Sequence, residues 1–234
     1  MVGGIEVDVV RKAIKNAHLA VYPPTGRVRL AVPTGMSDRS IRLLAISRLG
    51  WIRKHQRHVQ AQARETPREY VSGESHYFQG RRYLLRVVEG ARKHEVVVRG
   101  KRYLELHVRT GTDRAGRAKA LDGWYRDRLR ELASPLFARW EPILGVEARQ
   151  WEIKRMRTKW GSCNSKARRI WLNPELAKKP PRCLEYIVVH ELVHLIERTH
   201  NERFIALMDR HLPNWRERRK ELNVLPVRHE EWAE

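Results

Sequence analysis

The first half of the chain shows mostly the two-residue alternation of half-buried strands. RVRLAVP, at Arg27–Pro33, alternates basic and apolar residues and predicts a strand. GRRYLLRVVEG and KHEVVVRG predict a strand pair, and RYLELHVR predicts a third strand. Between Ser37 and Arg64 the apolar residues recur every three or four positions instead, which predicts one helix with Ser37 or Asp38 as its cap.

The second half of the chain contains longer segments with helical periodicity, and short predicted strands. The polar break GTDRAG, at Gly111–Gly116, marks a candidate domain boundary. EARQWEIKRMRTKWGSC and RRIWLNPEL predict two strands joined by the turn NSKA. Helices are expected at about 119–142, 181–197 and 201–212, and again from Trp215. We therefore expect an α+β protein with a β-rich region at 1–116, which includes one helix, and a second domain at 117–234.

The charge balance is strongly basic. The chain has 48 Lys and Arg against 27 Asp and Glu, a formal net charge of +21, and residues 1–118 carry 24 of the basic and 10 of the acidic side chains. Such an excess favours polyanionic partners such as nucleic acid or nucleotides, although a basic surface also serves solubility alone. Any electrostatic docking face is expected in the first half.

The sequence also bears on location. Two cysteines do not make a disulfide framework, and no apolar run approaches the roughly 18 residues that span a bilayer. The start MVGGIEVDVVRKAIK has acidic residues where a signal peptide has a basic segment. A cytoplasmic protein without a membrane segment is expected.

The candidate chemistry lies in HELVH, within the helix predicted at 181–197. His190 and His194 are four residues apart, so they lie on one helix face with about 5–6 Å between their Cβ atoms and can bind one metal ion. Glu191 lies beside that ion and can accept a proton from a water that the metal activates. The alternative is a pair of core histidines with Glu191 in an ion pair, which needs several separate partners to offset the cost of burial.

A catalytic zinc site needs a third protein ligand, and His200 is the nearest. The chain must turn after about Glu197 to bring His200 back to the metal. Metzincins have the same spacing but carry Gly where this chain has Glu197, so a different turn is expected. The other candidates for the third ligand are His211, Glu217 and Glu221.

The segment WGSC is a candidate substrate-binding edge. Trp160, Gly161 and Ser162 can align an extended peptide through main-chain hydrogen bonds, and Gly161 permits close approach of another chain. Packing of Trp160 in the core, with a bulge at Gly161, is the alternative. Cys163 needs a base partner to act as a nucleophile, which a metal-activated water makes unnecessary. The oxyanion-stabilising group is not readable, and its candidates are Arg203, Lys159 and Arg157.

WGSC, IWLNPEL and HELVHLIERTHNERF together resemble the YgjP-like metallopeptidase family, which is similar to the SprT-like and WLM zinc proteases. Lys159 stands before Trp160 where family members often have Arg. The resemblance implies a minimal zincin with a small antiparallel sheet, an active-site helix and a β-rich N-terminal part. It implies zinc as cofactor, with Glu191 as general base and three zinc ligands, His190, His194 and His200.

The expected function is therefore zinc-dependent hydrolysis of peptide bonds in a peptide or protein substrate. One alternative is hydrolysis of a nucleotide or phosphoanhydride by the same metal centre, which the positive charge favours. Another is a nucleic-acid-associated protease that uses the basic first half, where Trp51, Tyr83 and Tyr103 are candidate contacts.

Overall fold

The computed structural model describes residues 1–22, 25–61, 68–156 and 159–224. The chain forms two compact units, the first before residue 67 and the second at residues 67–225. The boundary predicted at residue 116 lies inside the second unit, and the assignment of 1–116 as a separate domain stays a prediction. No helix among the described residues is both long enough and apolar enough to cross a membrane.

The first unit is a three-stranded sheet with two helices. Strands β1 (Val7–Lys12), β2 (His18–Tyr22) and β3 (Arg27–Pro33) have the order β1–β3–β2, with β3 parallel to β1 and antiparallel to β2. The predicted strand at Arg27–Pro33 is confirmed, and its alternate residues Val28, Leu30 and Val32 are buried.

The single helix predicted after Ser37 is two helices, α1 (Asp38–Ser47) and α2 (Leu49–Ala61). Ser37 caps α1 as expected, since its side chain accepts a hydrogen bond from the backbone of Ser40. The break occurs because the Arg48 N–H donates to the Ala45 carbonyl, three residues back, which tightens the last turn of α1. A three-to-four-residue apolar period does not reveal a one-residue break of this kind.

The second unit begins with a four-stranded sheet, made of β4 (Ser75–Phe78), β5 (Arg81–Glu89), β6 (Glu95–Arg99) and β7 (Tyr103–Val108). The strand order is β4–β5–β7–β6, and β5 and β7 are parallel. The predicted pairing of β5 with β6 is wrong, because β7 lies between them. A short loop, in which Gly100 has a φ of 58°, joins β6 and β7 as antiparallel neighbours.

Helix α3 (Arg114–Leu144) follows and begins earlier than predicted. The Asp113 side chain accepts a hydrogen bond from the Gly116 N–H at 2.8 Å and caps the helix. The helix therefore begins within the segment Gly111–Gly116 that was predicted to be a polar break. Gly145, with a φ of 64°, ends the helix. One face of α3 is buried, at Leu121, Tyr125, Leu129, Ala133, Phe137, Trp140 and Leu144.

A second small sheet comes after α3, built from β8 (Gln150–Ile153), β9 (Gly161–Asn164) and β10 (Arg169–Leu172). Its order is β8–β10–β9, with β10 parallel to β8 and antiparallel to β9. The predicted hairpin around NSKA is confirmed, but the segment before it contains two strands. The sheet is therefore mixed, whereas the resemblance implied an antiparallel one. Strand β9 lies at its edge.

The remaining elements of the second unit are helical. A short 3-10 helix (Pro174–Lys178) precedes α4 (Pro181–Val193), α5 (Glu202–His211) and α6 (Trp215–Val224). The N–H groups of Gln79 and Gly80, in the β4–β5 turn, donate to the carbonyls of Ala177 and Lys178. Side chains of β5, β7, α3, β10, α4 and α5 share one apolar core. The helices and the small mixed sheets give the predicted α+β class.

Candidate metal centre

Helix α4 carries the candidate residues into the core. It begins at Pro181, where the missing N–H of proline costs no helical hydrogen bond. Nine of its residues are buried, and Glu191 is the one acid among them. The helix ends at Val193, so His194 stands at its C-terminal cap.

The three histidines of the motif converge. Their ligand atoms all lie within 4.8 Å of one another. Nε2 of His190 and Nε2 of His200 are 3.1 Å apart, and the three ring centroids are separated by 4.7–5.0 Å. His200 is exposed, whereas His190 and His194 are half-buried, so the cluster opens to solvent on the His200 side.

The turn that brings His200 to the other two histidines begins four residues earlier than predicted. The N–H groups of Leu195 and Ile196 donate to carbonyls three residues back, which closes the helix at Val193. The Thr199 N–H and hydroxyl both donate to Oε1 of Glu197. Glu197 therefore organises the turn by hydrogen bonds at the position where metzincins use Gly.

Phe204 forms the apolar side of the cluster. Its ring centroid lies 4.7–5.0 Å from those of all three histidines, and its side chain is only 2% exposed. The Asn201 side chain caps α5 by accepting from the Phe204 N–H at 3.0 Å. The cap that starts α5 thus also fixes the residue against which the imidazoles pack.

The imidazoles are held neutral. Burial, with the neighbouring histidines adding to it, lowers the pKa of His190 to about 3. Burial also lowers the pKa of His194 and of His200. Nδ1 of His194 lies 3.0 Å from the Glu197 carbonyl, to which it donates when it carries the proton, and Nε2 then holds the free lone pair. Neutral imidazole is the form that binds metal ions.

The alternative of two satisfied core histidines finds little support here. No ion pair to Glu191 is found among the described residues, and its side chain is 4% exposed. Nδ1 of His190 is buried and has no hydrogen-bond partner in the described part of the chain. Burial raises the pKa of Glu191 to about 8, and the charge of Lys159 opposes that rise. Within the described residues, the Glu191 carboxylate therefore has no ion pair and Nδ1 of His190 has no hydrogen-bond partner.

Strand β9 lies directly against Glu191. A Cβ atom placed on Gly161 would be 2.5 Å from Oε1 of Glu191. Trp160 is half-buried with the Lys179 ammonium 5.4 Å from its ring centroid, and Ser162 pairs with Trp171 of β10. The structure thus brings Gly161 to Glu191, while Trp160 and Ser162 flank that contact along the chain.

A model of the YgjP-like metallopeptidase domain matches residues 15–225. The chain belongs to the YgjP-like family. No curated protein matches it. Family membership implies a metal-dependent peptidase that acts on a peptide or protein substrate with a divalent metal.

In this YgjP-like chain, Asn173 is a structural residue of the site that sequence reasoning did not single out as functional. Its Nδ2 donates to the carbonyls of Met156 and Lys159, at 2.7 and 2.9 Å. Its N–H donates to the Trp160 carbonyl, and Oδ1 accepts from the Glu175 N–H. Asn173 thus holds the backbone that leads into β9. The signal in the sequence is Asn before Pro174, which is compatible with a turn cap or with a hydrogen bond near the site and favours the cap.

The other candidates for the third ligand lie outside the cluster. Among the described residues, the three histidines are the group found with metal-binding geometry. Glu221 is instead bound to Arg182 of α4. His211 stands at the end of α5, and Glu217 lies in the first turn of α6.

The positively charged residues that act on the site differ from the three oxyanion-stabilising candidates named from the sequence. Lys159 acts electrostatically on Glu191 and His194. Arg203 acts on Glu197 instead, and Arg157 lies outside the described residues. After burial, the charge of Arg219 in α6 also lowers the pKa of both His190 and His200.

Proposed function

We propose that this YgjP-like protein is a zinc-dependent peptidase. In this proposal His190, His194 and His200 hold the metal, and Glu191 is the general base. The observation that carries the proposal is the convergence of three imidazoles within 4.8 Å beside a buried carboxylate. Three neutral nitrogen ligands with one solvent-facing side suit a catalytic zinc site better than a closed structural one.

The donor set fits a zinc ion. A zinc ion held there would supply a Lewis acid that acidifies a water molecule and polarises the peptide carbonyl. The contact of His194 with the Glu197 carbonyl fixes the orientation of that imidazole. Phe204 fixes the packing of all three rings. The chain itself therefore preorganises the ligands.

Glu191 handles the proton in this proposal. Its carboxylate accepts a proton from the attacking water and returns it to the nitrogen of the leaving amine. Burial raises the pKa of Glu191 to about 8, which suits a group that must both accept and release a proton near neutral pH.

The proposed substrate-binding element is the free edge of β9. Because β9 pairs only with β10 within the described sheet, its other edge has backbone groups available for an extended peptide. Trp160, Gly161 and Ser162 are the proposed contacts. Peptide groups need no matching side-chain charge for this mode of binding, so broad sequence tolerance is expected.

A second candidate is hydrolysis of a nucleotide or phosphoanhydride. The positive charges of Lys159 and Arg219 act on the site, and the whole chain carries +21. The proposal of a nucleic-acid-associated protease loses one of its candidate base contacts. Tyr83 is 7% exposed and cannot stack on a base, whereas Trp51 is 39% exposed.

The test combines metal analysis with substrate profiling. Purified protein is assayed for zinc content and for cleavage of an unbiased peptide library and a nucleotide panel, with and without a chelator. We expect about one zinc per chain and chelator-sensitive peptide cleavage that Glu191→Gln abolishes. Cleavage confined to nucleotides would select the second candidate. A protein that binds no zinc would refute the proposal.

A further inference from the structure

Gly161 lies closer to Glu191 than any residue with a side chain can. A Cβ atom at this position would be 2.5 Å from Oε1, 2.8 Å from Cγ and 2.9 Å from Cδ of Glu191. All three distances are well inside van der Waals contact. The bare Cα of Gly161 is therefore part of the surface on which the Glu191 side chain rests.

Backbone conformation does not explain this glycine. Several glycines of the chain have positive φ, among them Gly80 and Gly145, but Gly161 does not. It pairs with Leu172 as an ordinary strand residue. Glycine weakens a strand, since it loses more conformational entropy on folding and offers no side chain to pack. The remaining physical reason for glycine here is space.

Neither the Glu191 side chain nor the backbone at Gly161 can easily move to widen the contact. Glu191 is 4% exposed and is flanked on α4 by buried apolar residues. On the other side, Asn173 binds the carbonyls of Lys159 and Trp160, directly before Gly161. A methyl group at Gly161 must therefore displace the carboxylate rather than the strand.

We propose that Gly161 is a positioning residue for the reaction, because its missing side chain seats the Glu191 carboxylate at a fixed place beside the histidine cluster. The inference rests on the proposed role of Glu191 as general base. It assigns WGSC a second role besides peptide alignment, since the same strand edge sets where the base stands.

The first test is Gly161→Ala, with kcat, KM and zinc content measured separately. A displaced base lowers kcat by about 100-fold, because misplacement of a catalytic group by about 1 Å has an effect of this size. Zinc content stays unchanged, since the proposed ligands are histidines. KM changes little, since the added methyl group faces Glu191 and leaves the main-chain groups of Gly161 available to a peptide. The matched control is Gly123→Ala, because a Cβ at Gly123 meets nothing within 4 Å. A loss confined to KM would overturn the proposal.

The second test is a double-mutant cycle with Glu191→Asp, which shortens the side chain by one methylene and makes room for the methyl group. Gly161→Ala is expected to lower the melting temperature and kcat in the wild-type background, and to change both far less in the Glu191→Asp background. Equal effects in the two backgrounds would show that the methyl group acts elsewhere, and would overturn the proposal.

The two proposals fail in different ways. Retention of activity in Glu191→Gln would remove the general-base role. The coupling of melting temperatures between positions 161 and 191 does not depend on activity, so it still reports on the contact. If Gly161→Ala does not fold, folding of the double variant supports the contact, and failure of both to fold contradicts it.

Discussion

Helix α4 and strand β9 meet at one site but contribute to it in opposite ways. Nine of the 13 residues of α4 are buried, and the helix supplies the His190 imidazole and the Glu191 carboxylate, with His194 at its C-terminal cap. None of the four residues of β9 is fully buried, and its contribution is backbone and empty space. The comparison teaches that residue choice in α4 is limited by the chemical groups that the site needs. In β9 it is limited by the space beside Glu191. Substitutions on the two elements should therefore fail differently.

The largest effect is expected for Glu191→Gln on α4. The amide cannot accept the proton, so kcat should fall by about 1,000-fold or more while zinc content stays at the wild-type value. Steady-state kinetics and metal analysis measure the two quantities. Glu185→Gln is the control on the same helix, because Glu185 pairs with Arg139 and Arg218 away from the motif. Equal losses in both variants would contradict the assignment.

The next effect is expected at the ligands. His194→Ala should lose the metal, and His200→Ala should weaken zinc binding by more than about 100-fold, because a site with two imidazoles holds zinc poorly. A competition titration against a zinc chelator measures the affinity. His211→Ala, which removes an imidazole outside the cluster, should bind as the wild type does. Weaker binding in His211→Ala alone would make His211 the third ligand.

A moderate effect on stability is expected for Asn173→Ala, at the entry to β9. The change leaves the carbonyls of Met156 and Lys159 without their amide donor, which costs about 1–3 kcal/mol of the free energy of unfolding. Denaturant unfolding measures it. Unchanged stability would mean that water replaces the amide without cost, and that the strand does not need this residue.

The smallest effect is expected for Cys163→Ser, because β9 is constrained by volume and Ser is similar in size. Burial, and next to it the charge of Glu191, raises the pKa of Cys163 to about 11. The reactive thiolate is thus a minor species at pH 8, and alkylation should be slow there and speed up as the pH rises towards 11. Activity should survive the substitution. Its loss would make Cys163 a participant in the reaction.

The helix side of the comparison was largely predictable from sequence. The apolar flanks of HELVH predict a buried helix, and the need for a third ligand points to His200. The position of the turn was not predictable, because it depends on hydrogen bonds of Leu195, Ile196 and Thr199 that no periodicity encodes. The pattern gives the types and spacing of the candidate ligands, and the structure adds the path of the chain between them.

The strand side was much less predictable. The contact between Gly161 and Glu191 joins residues 30 positions apart, and a glycine alone does not tell which neighbour it makes room for. The parallel pairing of β5 with β7 was missed for the same reason, since sequence neighbours favoured β6. Pairings between distant segments depend on the whole packed core, which a single sequence pattern does not specify.

The shared core of the second unit sets a limit on how the protein can be trimmed. Side chains of β5 and β7 pack in the same apolar cluster as those of α3 and α4. A fragment that starts at residue 117 would keep every histidine of the motif. It would, however, lose β5 and β7 and expose to water the apolar side chains that pack against them. A fragment that keeps this core whole must include the chain from residue 67 onwards.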